Sequence, residues 1–189
     1  MLRTYRIIAL AFTFSTVICI ISILSGQQKH QSVLGEILQE KNNNTTIHMN
    51  KLIVVALTQA FNDRNITALD KLVAVNEIEH DLLVHKGLAE LKQYFSNLIY
   101  AFPDLHITID HIVAEGNKVA VITNTTGTPE RHLMATTGIP IPEKKISFKS
   151  ADIYRIANNK IVEHWNIVES VKMLDQLGAI KFNVPKNHS

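Results

Sequence analysis

The chain has 189 residues, of which 46% are hydrophobic, and its 19 lysine and arginine residues nearly balance 17 aspartate and glutamate residues. Two of the basic residues, Arg3 and Arg6, precede the first apolar run, and the rest of the chain is neutral. With no net basic charge and no arginine- or lysine-rich run, the sequence excludes the electrostatic footprint of a nucleic-acid-binding protein.

Residues 1–25 have the pattern of a targeting segment. Arg3 and Arg6 precede an uncharged, mainly apolar run from Ile7 to Leu24. The run is 18 residues long, between a signal-peptide core and a membrane-spanning helix, so a cleaved signal peptide and an uncleaved membrane anchor both stay open. In either case the positive flank stays inside, and we expect an exported domain that is secreted, periplasmic or anchored outside the cytoplasm.

The only cysteine, Cys19, lies inside this run, so the exported part has no thiol for a disulfide, a nucleophile or a metal ligand. Residues 26–48 are polar and are interpreted as a spacer with at most a short helix around Val33 to Glu40. The folded domain is predicted over residues 49–182, a common size for one hydrophobic core, with a C-terminal tail at 183–189.

Apolar periodicity in the domain predicts helices followed by antiparallel strands, which is an α+β fold. The helices are predicted from Met49 to Phe61, from Ile66 to Val73, and between Gly87 and Pro103. The strands are predicted near Leu82 to Val84, from Leu105 to Ala114, and from Lys118 to Thr126. Pro129 to Lys145 is predicted to be a long loop that borders a pocket or forms a mobile tip.

The segment from Phe148 to Val168 combines two strands, a tight turn and one carboxylate on a mostly apolar face. Asn158 and Asn159 tolerate the positive φ of a two-residue hairpin turn. The strand period of two places Asp152 on one side with Phe148, Ser150, Tyr154 and Ile156. An acid among aromatic rings is costly unless it is paired or used.

This hairpin, ADIYR followed by a two-residue turn and KIVEHW, resembles the signature of the SnoaL-like polyketide cyclases of the nuclear transport factor 2-like superfamily. The resemblance extends from about Met49 to Gly178 and includes HKGLAELKQYFSNL and MLDQLG. It implies a cone-shaped, curved, mostly antiparallel sheet packed against helices, with a pocket at the mouth. It also implies chemistry without a metal or organic cofactor, and a homodimer formed through the open sheet face.

Asp152 is the candidate catalytic base. Apolar surroundings disfavour its charged form and raise its pKa toward the range useful for proton transfer. The resemblance implies that this residue removes a proton α to a carbonyl, so that the enolate closes a ring by aldol addition. The alternative is that Asp152 pairs with a basic side chain at the rim or binds the backbone.

His164, Trp165 and Asn166 form the second candidate group. A regular hairpin would place Trp165 opposite Asp152, as a pocket wall or core residue, and would turn His164 to the other face unless a bulge shifts the register. His164 is kept as a candidate catalytic proton partner of Asp152. Asn166 stands where the cyclases commonly have an acid, EHWD, and is interpreted as a substrate-binding residue.

The remaining substrate-binding candidates are aromatic or polar residues predicted near the same pocket: Tyr154, Phe148, His80, Tyr94 and Asn124. Tyr94 and Asn124 are equally plausible as core and turn residues. Two His-x4-His spacings, His80 to His85 and His106 to His111, do not predict a metal site, because a closed site needs three or four convergent ligands.

Three functions therefore stay open from the sequence. The first is a cofactor-free cyclase, isomerase or dehydratase that acts on a small carbonyl compound. The second is a non-catalytic domain that binds a hydrophobic small molecule, favoured by export and by Asn166. The third is a dimeric interaction module.

Overall fold

The computed structural model describes residues 2–80, 87–130 and 144–180, with side chains from residue 28 onward except His30. The chain divides into two compact units, Met1–Thr45 and Thr46–Ser189. Within the part described with side chains, no helix has both the length and the apolar character needed to cross a membrane. The run from Ile7 to Leu24 lies outside that part, so its targeting role stays a prediction.

Helix α1 covers Leu2–Asn62 and continues through residues 26–48, where the sequence predicts at most a short helix. The physical reason is that the first proline of the chain is Pro103, so nothing in this segment forces the helix to end. The described side chains up to residue 46 are exposed, including the apolar Val33, Leu34, Ile37 and Leu38. In the second unit, α1 buries Val54, Leu57 and Ala60 at helical spacing.

The second predicted helix is shorter than expected. A 3-10 turn at Ile66–Ala68 leads into the short helix α2, Leu69–Leu72, and the chain then becomes strand β1, Val73–Glu79. The Asn65 side chain accepts a hydrogen bond from the backbone N–H of Ala68 and caps the turn. The strand predicted at 82–84 falls on residues outside those described.

Five strands form one sheet in the order β1-β5-β4-β3-β2. β1 pairs in parallel with β5, and the other neighbours are antiparallel. Helix α3, Gly87–Ala101, follows β1, and helix α4, Ser170–Gln176, follows the last strand. The four antiparallel strands are β2 His106–Glu115, β3 Lys118–Gly127, β4 Ile146–Ala157 and β5 Lys160–Val168. The predicted α+β architecture, a curved and mostly antiparallel sheet against helices, is confirmed.

The core of the second unit lies between the helices and one face of the sheet. Phe95 of α3 and Val119 of β3 are fully buried in it. A smaller cluster around Phe102 and Ile146 closes one end of the sheet and includes Leu177, beside α4. The helices cover this face of the sheet and leave the opposite face exposed.

The β4–β5 hairpin has the predicted turn but not the regular register. Asn158 and Asn159 have φ values of 51° and 58°, as a two-residue turn of this kind requires. Ile156 pairs with Ile161, whereas Arg155 pairs with Glu163, so Val162 is an extra residue that forms a β-bulge. Beyond the bulge every residue of β5 is displaced by one position from a regular pairing.

Candidate active site

A cavity of about 170 Å³ opens between the helices and the inner face of the sheet. Its wall is mainly apolar, with helical residues on one side and strand residues on the other. The apolar part includes Leu57, Phe61, Leu91, Leu98, Phe148 and Val168. Such a cavity with few polar groups is typical of a site for a small apolar ligand.

Asp152 lies in the wall of this cavity and is 6% exposed. Its Oδ1 accepts hydrogen bonds from Nε2–H of His164, at 3.1 Å, and from the amide of Asn166. Its Oδ2 accepts from the hydroxyl of Ser150 at 2.8 Å, and the Thr123 hydroxyl lies 2.8 Å from Ser150 Oγ. The carboxylate is therefore held by three side-chain donors, and none of them is lysine or arginine.

The bulge explains how these groups meet. It makes Asn166 the direct partner of Asp152 and His164 the partner of Tyr154. The opposition of Asp152 to Trp165 that a regular hairpin predicts is therefore wrong, and His164 faces the cavity beside Asp152. The exception that the sequence leaves open, a bulge in the hairpin, is the arrangement found.

His164 lies between two carboxylates. Its Nδ1 is 2.5 Å from Oε2 of Glu79, and its ring stacks on that of Tyr154 with the centroids 4.5 Å apart. Burial alone would lower the pKa of His164, but hydrogen bonds to Asp152 and Glu79, together with their charges, raise that pKa to about 9. His164 is therefore an imidazolium near neutral pH and donates from both ring nitrogens.

The phenol of Tyr154 is kept protonated by the same surroundings. Burial, followed by the charges of Asp152, Glu79 and Glu77, raises its pKa well above the usual value of 10.0. Tyr154, which lines the cavity and stacks on His164, thus stays a neutral phenol.

The structure separates the predicted substrate-binding residues into two groups. Six of the predicted site residues line the cavity: Asp152, His164, Asn166, Tyr154, Phe148 and Tyr94. Trp165, His80 and Asn124 do not line it. Asn124 accepts a hydrogen bond from Ser147 at 2.9 Å and has its register partner at Lys149. Because alternate strand residues face opposite sides, these positions belong to the other face of the sheet.

Trp165 and His80 contact each other on that outer face. Their rings stack with centroids 4.6 Å apart and an interplanar angle of 3°. Nε2 of His80 is 2.8 Å from Oε1 of Glu163, and Nζ of Lys118 lies 5.6 Å from the Trp165 ring centroid. Trp165 therefore does not line this cavity, because the bulge pairs it with Ile153 and turns it away from Asp152.

Two acids of the site, Glu77 and Glu79 on β1, are absent from the sequence-based candidates. The signal was present, since acids two residues apart in a strand share a face, but β1 itself is not predicted. Glu77, Glu79 and His164 offer ligand atoms within 4.8 Å of one another, the one group of this kind among the described residues. A cation there would have to displace the proton that His164 Nδ1 donates to Glu79.

The sequence model of the SnoaL-like polyketide cyclase family matches residues 51–177, which is more than half of the chain. No curated protein sequence matches it.

Solved structures show the same fold. TsrD from Streptomyces laurentii superposes with a TM-score of 0.63 at 21% identity, covering 70% of this chain and 97% of TsrD. AclR from Streptomyces galilaeus, a proposed hydroxylase, gives 0.64 at 22% identity over 74% of this chain and 91% of AclR. IdmH from Streptomyces antibioticus, a proposed polyketide cyclase, gives 0.60 at 26% identity over 68% of this chain and 98% of IdmH. The chain thus belongs to the SnoaL-like polyketide cyclase family, as its β4–β5 hairpin predicts.

Proposed function

We propose that the domain is a cofactor-independent acid–base enzyme of the aldol cyclase, isomerase or dehydratase type that acts on a small, hydrophobic carbonyl compound. The observation that carries the proposal is the buried Asp152 carboxylate in the wall of an apolar cavity, next to a protonated histidine. Membership of the cyclase family and the likeness to IdmH support the same class of reaction. If the first 25 residues direct export, the substrate is one met outside the cytoplasm.

Asp152 is the base in this proposal. A carboxylate offers about four acceptor positions, and three of them are taken by His164, Asn166 and Ser150. One position on Oδ2 is left for a proton of the ligand. The surrounding donors and the apolar wall hold the carboxylate in a fixed orientation before the ligand binds.

The proposed reaction is a proton transfer followed by bond formation within one molecule. Asp152 removes a proton from the carbon next to a carbonyl, and the electron pair moves onto the carbonyl oxygen to give an enolate. The enolate carbon attacks a second carbonyl of the same substrate, and the oxygen of that carbonyl receives the proton. One C–C bond forms, and no atoms are gained or lost.

Exchange of α-protons in deuterated water tests this step without knowledge of the natural product. We expect the protein to catalyse exchange in at least one member of a panel of hydrophobic 1,3-dicarbonyl compounds. Asp152→Asn keeps the shape of the side chain but removes the base, so the exchange rate should fall by roughly 100-fold or more. Proton NMR measures the rate.

Asp110→Asn is the matched control, because Asp110 lies on β2 and forms an ion pair with Lys149 at 2.8 Å, away from the cavity. That variant should exchange α-protons as fast as the unchanged protein. Equal rates in the Asp152 and control variants would contradict the assignment of Asp152 as the base.

Asn166 favours a second candidate function, the binding of a hydrophobic small molecule without catalysis. The Asn166 amide donates a hydrogen bond to Oδ1 of Asp152 and so occupies one of its acceptor positions. The family commonly has an acid in place of Asn166. In that case Asp152→Asn leaves ligand affinity nearly unchanged, and the native protein carries a bound apolar molecule that mass spectrometry detects. Neither the native protein nor Asp152→Asn would then catalyse α-proton exchange.

A further inference from the structure

Glu79 is one of two acidic residues in the cavity wall, with Glu77, that the proposed mechanism does not use. We infer that Glu79 is a positioning residue, which holds the His164 ring through Nδ1 so that the opposite N–H is directed at Asp152. The inference rests on the proposed function only for its catalytic consequence, since the arrangement itself is a property of the folded protein.

The position of Glu79 is set by the backbone. Glu79 ends β1 and is the direct register partner of His164 across the parallel β1–β5 pair. The N–H of His80 donates to the carbonyl of His164 at 3.0 Å, which fixes this end of β1 against β5. The Glu79 side chain is 0% exposed, so its carboxylate is held inside the protein with His164 as a partner.

The chemistry of imidazole explains the consequence. Each ring nitrogen of His164 faces a carboxylate oxygen, Nδ1 toward Glu79 and Nε2 toward Asp152. A neutral histidine has one N–H and one lone pair, so either tautomer would direct a lone pair at a carboxylate. With both carboxyl groups ionised, only the imidazolium satisfies both contacts, and burial makes an unsatisfied contact costly.

Two contacts hold the ring in this orientation. Glu79 binds one edge of the imidazolium, while Tyr154 stacks on its face at an interplanar angle of 5°. Nε2–H is consequently aligned with Oδ1 of Asp152 before a ligand enters. Loss of Glu79 would release Nδ1, and the ring could lose its proton or turn away from Asp152.

Other titratable side chains line the cavity that His164 faces. Glu77 on β1, Asp152 and Tyr154 on β4, and Tyr94 on α3 line the same cavity. Of these, Glu77 supplies a matched control for Glu79: it has the same side chain, lies on the same strand and is 5% exposed. It is Glu79, however, that carries the hydrogen bond to Nδ1.

Heteronuclear NMR of the full chain tests the inference by following the titration of the His164 ring nitrogens. In the unchanged protein both nitrogens should be protonated near neutral pH. Glu79→Gln should lower the pKa of His164 by about one unit or more, the usual effect of losing a close opposite charge. Glu77→Gln should lower it by clearly less. Equal shifts in the two variants, or no shift in Glu79→Gln, would overturn the inference.

Two measurements keep the test decisive if Glu79→Gln does not fold. A single neutral tautomer of His164 in the unchanged protein near neutral pH would by itself overturn the inference. Glu79→Asp retains the charge, so it should fold and keep His164 more basic than the ordinary histidine value. Because these measurements need no substrate, their failure is distinguishable from a failure of the α-proton exchange assay, which tests the proposed function.

Discussion

The bound proton on His164 links the stability of the domain to pH. The folded-state pKa of about 9 lies above the ordinary value of 6.5. The stabilisation from this proton is therefore fully present below about pH 6.5 and is lost as pH rises through about 9. The difference between these two pKa values corresponds to at most roughly 3 kcal/mol of unfolding free energy.

Urea unfolding at a series of pH values measures this effect. We expect the unfolding free energy to decrease between about pH 6 and about pH 10. His164→Gln cannot bind the proton, so it should be less stable at the acidic end and should lose most of this slope. A slope that is the same with and without His164 would assign the pH dependence to another group.

At the scale of single residues, the sequence predicts some site members and misses others for identifiable reasons. Asp152, Tyr154 and Phe148 share a face because β4 is regular, so counting by two is sufficient. His164 and Trp165 exchange faces because β5 contains a bulge, which no local pattern near Val162 indicates. Glu79 is missed because its strand is missed.

At the scale of elements, the packing of α3 against β1 depends on Gly87. Gly87 has a φ of +73°, and a Cβ at this position would lie 2.8 Å from the carbonyl oxygen of Val75. Gly116 also has a positive φ, of +54°, but a Cβ there would meet nothing within 4 Å. Substituting the two glycines therefore distinguishes two free-energy costs. Both variants carry the cost of a side chain on a left-handed backbone, and only the Gly87 variant carries the cost of the contact with Val75.

Gly87→Ala should therefore destabilise the domain more than Gly116→Ala. We expect about 1–2 kcal/mol for the left-handed conformation in both variants, and a further cost of about 1–3 kcal/mol in Gly87→Ala, where the backbone of β1 must move. Chemical denaturation of the two variants gives both values. A similar loss in both would show that α3 and β1 adjust to each other freely.

The sequence predicts well those helices and strands whose apolar residues recur with a clear helical or strand period. The predicted boundaries of α3 and of β2 to β5 agree with the structure to within a few residues, because hairpin turns and Pro103 mark their ends. β1 is different: Glu77 occupies a buried position, so the strand does not show an apolar face. Glu77, which interrupts the apolar pattern of β1, also lines the cavity.

At the scale of the whole domain, the outer face of the sheet exposes apolar side chains. Ile167 is 75% exposed, Val113 64% and Ile153 42%. We propose that a second copy of the chain covers this face, since exposed apolar patches are a common mark of protein interfaces. The three residues come from β5, β2 and β4, so the patch extends across the sheet.

Analytical ultracentrifugation tests the proposed homodimer. We expect the unchanged protein to sediment as a dimer and Ile167→Glu to sediment as a monomer, because a charge would be buried in the interface. Val171→Glu is the control, since Val171 is 59% exposed but lies on α4 rather than on the sheet. A monomeric unchanged protein, or a dimer that survives Ile167→Glu, would argue against this interface.

The bulge at Val162 gives β5 one residue more than its pairing with β4 uses. This spare residue has a genetic consequence, because deletion of the Val162 codon would remove an amino acid without changing which residues of β5 face the cavity. A deletion of one codon in a regular strand would instead exchange the two faces of everything that follows it. The gene can therefore lose one codon at this point and still encode His164 and Asn166 beside Asp152.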